Sequence, residues 1–458
     1  MNVKASLAII VCKGLRLAAR VLHRGGTAMP GRVALKICPG LLGVLSRNVR
    51  TVAVTGTNGK TTTARMIEKA FSDAGLNYMA NRSGANLISG ITTEFAMNST
   101  IFGRCKRDYA VIECDEAAAR LTFAQLRPKV VLVTNLFRDQ LDRYGEVTHT
   151  LANIREGLSK IPDAVVCLNA DCSLTASLAG DLPNRVLFYG MDASAGHQGE
   201  KPELSDATHC IRCKTEYEYD YLTYGHLGGF RCPACGYSRP AADVAVTAIR
   251  SLGADCSQIT LRVGETEYPV RVNLPAMYNI YNAAGAVAAV TQMGLSREQA
   301  LSAVESFHCG FGRMERFDIG EKGARMMLVK NPAGCNQVLE FLSGLSEPFY
   351  LVLCLNDRSA DGTDVSWIWD VDFERLAGMG DTLTGVTVSG VRAADLWTRL
   401  KYAGVPEDRI TMERNYEALA ENLGGMDKPV FLVPTYTAML DLRAVLVKRY
   451  GGAAFWEG

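Results

Sequence analysis

The chain has 458 residues, 48% of them hydrophobic, which is enough material for two or three domains with their own cores. A net charge of +1, with 21% charged residues, excludes both the basic footprint of a nucleic-acid binder and the composition of a disordered chain. Most of the 14 cysteines stand singly in apolar runs, as Cys12, Cys167 and Cys354 do, the usage of a reduced cytoplasmic protein and not of a secreted disulfide framework.

Residues 1–45 read as a helical segment. The apolar run 7–11 is short for a signal core, Lys13, Arg16, Arg20, His23 and Arg24 interrupt its continuation, and no stretch approaches the roughly 18 apolar residues that span a bilayer. Two readings stand: an amphipathic packing helix, or a basic helix touching the anionic inner face of the cell membrane. From residue 46 the pattern becomes strand, glycine turn, helix. A β-branched strand over 51–54 precedes a helix over 62–74, and the compact apolar runs 109–112 and 130–133 have the character of buried parallel strands. The alternation predicts a P-loop, doubly wound α/β domain over 46–310 with ligands at the carboxyl ends of its strands. A polar, tyrosine-rich insertion occupies 200–240, and the α/β pattern resumes near Val246. Strand-like runs at 326–329, 350–355, 385–389 and 430–433 predict a second, Rossmann-like α/β domain over 311–458. Its boundary falls near 309–316, where Gly310 and Gly312 break the preceding helix.

Between the first strand and its helix lies Thr55-Gly56-Thr57-Asn58-Gly59-Lys60-Thr61-Thr62. Glycines let backbone N–H groups approach phosphate oxygens, and the helix N-terminus adds its dipole. Lys60 is placed to reach the β- and γ-phosphates of ATP and Thr61 to ligate Mg2+. Glu113, ending the 109–112 run, is the expected second Mg2+ ligand. Of Asp115 and Glu116, one is expected to be a solvated turn residue.

The insertion carries Cys210-x2-Cys213 and Cys232-x2-Cys235, a spacing that suits a structural Zn2+ held by four thiolates. Residues 216–221 alternate carboxylates and tyrosines with period two, as a ribbon strand does. Three acids against Lys214 and Arg231 between the pairs argue against a nucleic-acid ribbon.

The phosphate loop resembles that of the Mur ligases and folylpolyglutamate synthases. Thr134-Asn135, continuing to Asp139-Gln140-Leu141-Asp142-Arg143-Tyr144-Gly145, is similar to their T-N-x-x-x-D-H-L-D-x-Y-G. Tyr278-Asn279-Ile280-Tyr281-Asn282-Ala283 resembles H-N-x-x-N-A, and Gly312-Arg313-Met314-Glu315 resembles G-R-x-E. The resemblance implies that Gly56 to Thr62, Asn282 and Arg313 bind nucleotide, with Asn282 on the adenine. Gln140 stands where the family has a metal-binding His, and Asn153-Ile154-Arg155-Glu156-Gly157 offers no counterpart of the lysine that many members carbamylate. These two departures weigh against a Mur-type ligase that adds amino acids, the alternative reading. The four cysteines and the stretch 356–370 resemble the MurT-type synthetase subunits of lipid II isoglutaminyl synthases. That family implies ATP-dependent amidation, through an acyl phosphate, of the D-glutamate α-carboxylate in the lipid II stem peptide. This chain has no G-x-C-x-G elbow of its own, which implies a separate glutaminase as the source of ammonia; the family resemblance implies one of the GatD-type class I kind. The family also implies that an acid of the synthetase completes the partner's Cys-His pair. Asp364 and Asp370 are the candidates, and Asp361 is a weaker one because Asp-Gly is a common turn pair.

Overall fold

The computed structural model describes residues 3–21, 28–82, 84–138, 147–195, 206–253, 255–308 and 313–451. Three helices open the chain, Val3–Val21, Ala28–Ile37 and Leu41–Ser46. The first buries Ala5, Ala8, Ile9 and Cys12 at helical spacing. The second lies so close to the helix Ile88–Met97 that a Cβ at Gly31 would stand 1.8 Å from the Ser89 carbonyl oxygen. No helix among the described residues is long and apolar enough to cross a membrane.

A nine-stranded sheet follows, built from β1 (Arg50–Thr55), β2 (Tyr78–Ala80), β3 (Tyr109–Glu113), β4 (Val130–Val133), β5 (Val165–Asn169), β6 (Val186–Met191), β9 (Val244–Leu252), β10 (Ser257–Val263) and β11 (Thr266–Val272). Its order is β11-β10-β9-β6-β5-β4-β1-β3-β2. Pairing is parallel from β2 to β9 and antiparallel across β9, β10 and β11. The central strands are continuous apolar runs because helices cover both faces, and every residue of β4 is buried. The order reverses beside β1, so the loop leaving β1 sits at the switch point where a doubly wound sheet binds its ligand. The return near Val246 begins with an antiparallel meander, not a strand–helix unit. The helix Met277–Gln292 comes only after it and is buried along most of its length.

A second sheet contains β12 (Arg313–Phe317), β13 (Ala324–Met327), β14 (Phe349–Cys354), β15 (Leu383–Ser389), β16 (Ile410–Met412) and β17 (Val430–Pro434), in the order β12-β13-β17-β14-β15-β16. Only β12 runs antiparallel to its neighbour. The strand expected at 326–329 begins two residues earlier and stops at Met327, which frees Leu328 and Val329 to line a cavity against the first sheet. Between β6 and β9 the hairpin β7 (Glu218–Tyr224) and β8 (Leu227–Arg231) stands apart from both sheets.

Candidate functional site: a phosphate loop facing the second sheet

β1 ends in a loop that only glycine geometry permits. Gly56 has φ +119° and Gly59 +85°, and a Cβ at either would lie 2.3 Å from Thr134 Oγ1 or 2.2 Å from Asn282 Oδ1. Asn135 clamps the loop from below: its Oδ1 accepts from Asn58 N at 2.9 Å, and its Nδ2 donates to Asn58 O at 3.1 Å. Thr57 is fixed by Phe137, whose N–H donates to Thr57 Oγ1 at 3.0 Å and whose carbonyl accepts from it at 3.2 Å. The helix Lys60–Asp73 thus presents its N-terminus to the cavity, two residues earlier than the sequence suggested.

Lys60 is buried, its Nζ donating to Gly56 O at 2.5 Å and to Glu116 Oε1 at 2.8 Å. Burial pushes the Glu116 carboxyl up from its ordinary range, against the pull of Lys60 and Lys330. Neither Asp115 nor Glu116 is a solvated turn residue: both are buried, and Asp115 Oδ1 accepts from Ala117 N at 3.0 Å. The solvated-turn expectation fails because the turn folds in beside the phosphate loop, where Glu116 meets Lys60 and Asp115 N donates to Asn86 O at 3.0 Å. Glu113 lies where expected, its Oε2 accepting from Thr61 Oγ1 at 2.7 Å. A hydroxyl and a carboxylate in contact at the tip of a parallel strand are hard oxygen donors of the kind Mg2+ prefers.

Two cavities flank the loop. One, of about 350 Å3, runs from Lys60, Thr61 and Glu113 to Lys330, Asp361 and Tyr436 of the C-terminal half, which lie in loops and a helix start beyond the second sheet's strands. The other, of about 90 Å3, is bounded by Asn58, Thr62, Asn135, Tyr224, Asn282 and Val338. Asn282 Oδ1 accepts from Thr63 Oγ1 at 3.2 Å, and its Nδ2 donates to Asn279 Oδ1 at 3.2 Å, so the residue spans the loop and this smaller cavity. The loop touches the second half of the chain directly, Asn331 Nδ2 donating to Asn58 Oδ1 at 3.1 Å. Asn331 also caps the helix Pro332–Ser343 by accepting from Gly334 N at 2.8 Å.

Cys210, Cys213, Cys232 and Cys235 converge, with all four sulfurs within 4.8 Å of one another. The Cys210–Cys235 and Cys213–Cys232 separations of 3.5 and 3.4 Å exclude disulfides and are close to the edge, about 3.8 Å, of a zinc–thiolate tetrahedron. The donor set fits Zn2+. The alternation holds: Tyr217 and Tyr221 are buried and Tyr219 is half-buried, while Glu216, Glu218 and Asp220 are exposed. The ribbon is not isolated, however. Asp171, fully buried after β5, pairs with Arg239 at 2.5 Å. The same carboxylate accepts from Tyr221 OH at 3.2 Å, Tyr281 OH at 2.6 Å and Met191 N at 2.7 Å. At the hairpin tip Tyr224 stacks on Phe137, centroids 5.8 Å apart and planes 16° apart. His226 lies against the same ring, centroids 4.6 Å apart, and Phe137 is the residue that fixes Thr57, so the ribbon reaches the phosphate loop through the Phe137 side chain.

The remaining candidates fall in different places. Asp364 is exposed, and the Ser366 hydroxyl together with the Ser366 N–H, which donates to Oδ1 at 2.8 Å, holds its carboxyl below the ordinary range. Asp370, at the end of the short helix Ser366–Asp370, pairs with Arg138 in the loop after β4. Asp361 is buried and accepts from Thr437 N at 2.6 Å at the start of the helix Tyr436–Tyr450. Residues 139–146, with Gln140, and 309–312 lie outside the described residues, as does the side chain of Arg313. Sequence reasoning missed Tyr224, Asn331 and Asp171, none of which belongs to a motif.

The family model of the Mur ligase middle domain matches residues 54–225, and that of the MurT ligase C-terminal domain matches 328–439. The fold resembles MurF from Acinetobacter baumannii, with a TM-score of 0.67 at 17% identity over 91% of this chain and 81% of that one. The lipid II isoglutaminyl synthase (glutamine-hydrolyzing) subunit MurT of Streptococcus pneumoniae is 34% identical over 98% of both chains. Its counterpart in Staphylococcus aureus is 33% identical over 97% of this chain and 98% of its own. With identity at this level along nearly the whole length, a Mur-type phosphate loop and a MurT-type C-terminal half, the chain belongs to the MurT family of ATP-dependent ligases.

Proposed function

We propose that the chain is the synthetase subunit that amidates the D-glutamate α-carboxylate of the lipid II stem peptide to D-isoglutamine. Support comes chiefly from the full-length similarity to the two MurT subunits, joined to a phosphate loop that keeps Gly59-Lys60-Thr61, with Lys60 on Glu116 and Thr61 on Glu113, although Val54 stands where the P-loop pattern has its first glycine. Residues 46–310 serve as the ATP-binding unit and 311–458 as the unit that closes on it, with the N-terminal helices 1–45 packed against the first. A carboxylate is a poor electrophile, and Mg2+-bound ATP supplies the phosphoryl group that converts it to an acyl phosphate open to ammonia. Lys60 and the N–H groups of Gly59 to Thr62 hold the phosphates and offset charge on the group in transfer. Thr61 and Glu113 hold Mg2+ and Asn282 and Tyr224 the base, and Arg313 is the further nucleotide-binding residue that the family resemblance implies. Four cysteines hold a structural Zn2+.

Ammonia is delivered by a GatD-type class I glutaminase, for which this chain lends the acid that orients the partner's His. Asp364 is the better supported of the two candidates, because its carboxylate is exposed while that of Asp370 is engaged by Arg138. The work is done in the cytoplasm at the inner face of the membrane, where the lipid-linked substrate is accessible.

Lys60→Ala tests the reading. The variant is expected to keep its fold and zinc but to lose ATP- and ammonium-dependent amidation of lipid II. Amidation at the wild-type rate would overturn the assignment of the loop.

A further inference from the structure

The near-neutral total hides a strong asymmetry. Residues 1–50 hold nine Lys or Arg and no Asp or Glu, and the first acid in the chain is Glu68. With 49 basic and 48 acidic residues in all, residues 51–458 therefore hold 40 bases against 48 acids. The two opening helices thus carry a charge opposite in sign to that of the rest of the molecule.

The same helices expose apolar side chains in register. Val3 (73% exposed), Leu7 (53%), Ile10 (51%), Leu17 (64%) and Val21 (69%) recur at intervals of four, three, seven and four residues along the helix Val3–Val21. That spacing makes one face about 27 Å long. Only Gly14 interrupts it, and Lys4 stands beside it. The opposite face is satisfied by packing, with Ala5, Ala8, Ile9 and Cys12 buried, so the exposed stripe is surplus to what holds the helix in place. The neighbouring loop adds Ile101 (44% exposed) and Phe102 (67%), with exposed Arg104, Lys106 and Arg107 after them. This loop lies against the helices: Lys13 Nζ donates to Ser99 O at 2.5 Å, and Gly103 abuts Val44 and Ile9. Exposed Met29, Arg32 and Lys36 form one face of the helix Ala28–Ile37.

We infer that this N-terminal surface docks on an anionic lipid bilayer, the helix Val3–Val21 lying in the interface with its apolar stripe among the acyl chains. An exposed apolar stripe beside positive charge, with no acid on the helix, is the physical description of an interfacial anchor. Self-association through the stripe would bring two such positively charged segments together, and a partner subunit would need an acidic rim. The inference rests on the proposed lipid-linked substrate for its purpose only.

The test is co-sedimentation of the full chain, without nucleotide or substrate, with vesicles of equal parts phosphatidylglycerol and phosphatidylcholine, and with phosphatidylcholine alone. Binding is expected to the anionic vesicles only and to weaken steeply between about 0.05 and 0.5 M salt. Leu7→Gln combined with Leu17→Gln should reduce partitioning by about tenfold or more, as should Lys4→Glu combined with Arg32→Glu, with thermal unfolding and ATP binding unchanged. Absence of wild-type binding, equal binding to neutral vesicles, or variants that bind as the wild type does would each overturn the inference. So would a wild-type dimer in analytical ultracentrifugation that the glutamine pair dissolves, because the stripe would then be a contact between copies. Failure here leaves the ligase reading intact, since ATP binding by the same preparations reports on it separately.

Discussion

Replacing Tyr224 by alanine removes one wall of the smaller cavity beside the phosphate loop. The ring is 6% exposed, stacks on Phe137 and meets Tyr281 edge-on at 5.6 Å. Asn58, Asn282 and Thr62 line the same cavity, so a planar base entering it meets an aromatic ring as well as amide groups. Loss of an aromatic platform under a base costs about 1–3 kcal/mol, which is about 5- to 150-fold in Kd. Loss of the Phe137 contact also loosens the pair of hydrogen bonds on Thr57, so the effect should lie above the lower bound. Calorimetric titration of Mg-ATP and Mg-ADP into Tyr224→Ala, Tyr224→Phe and Lys60→Ala is the assay. The alanine variant should weaken both nucleotides alike, and the phenylalanine variant should stay within about threefold of wild type because the ring is kept. If Tyr224→Ala binds ATP as tightly as wild type while Lys60→Ala does not, the base lies elsewhere and the ribbon has no part in nucleotide binding.

Metal analysis should give about one zinc per chain, and Cys232→Ser should release it. Because the ribbon carries Tyr224, the released protein should also lose ATP affinity; full solubility and unchanged affinity without metal would refute the coupling. Asp364→Asn should lose glutamine-dependent amidation but keep ammonium-dependent amidation and complex formation with the glutaminase, whereas Asp370→Asn should keep all three. Retention of glutamine use by both variants would remove the shared triad from this chain.

The phosphate loop, the strand that leads into it and the four cysteines were legible because each is a local pattern whose chemistry needs those residues at that spacing. The tyrosine alternation in the ribbon was legible for the same reason. Asp171 was not, since Asn169-Ala170-Asp171 reads as an ordinary turn and its partner Tyr281 is 110 residues away. Asp361 was ranked low as half of an Asp-Gly pair, yet it is the aspartate of its stretch that lines the phosphate cavity. Glu116 was misjudged because its burial depends on Lys60, 56 residues earlier in the chain. The N-terminal charge asymmetry was visible in the sequence but concealed by the total.

The central claim is amide formation on the substrate from ammonia. The purified chain with its glutaminase partner, Mg-ATP, glutamine and lipid II should yield a product about 1 Da lighter, as hydroxyl is exchanged for amine, with the amide on the D-glutamate α-carbon by fragmentation mass spectrometry. The chain alone should yield the same product only from concentrated ammonium salt. Incorporation of a free amino acid in place of ammonia, or amidation from glutamine by the chain alone, would contradict the account.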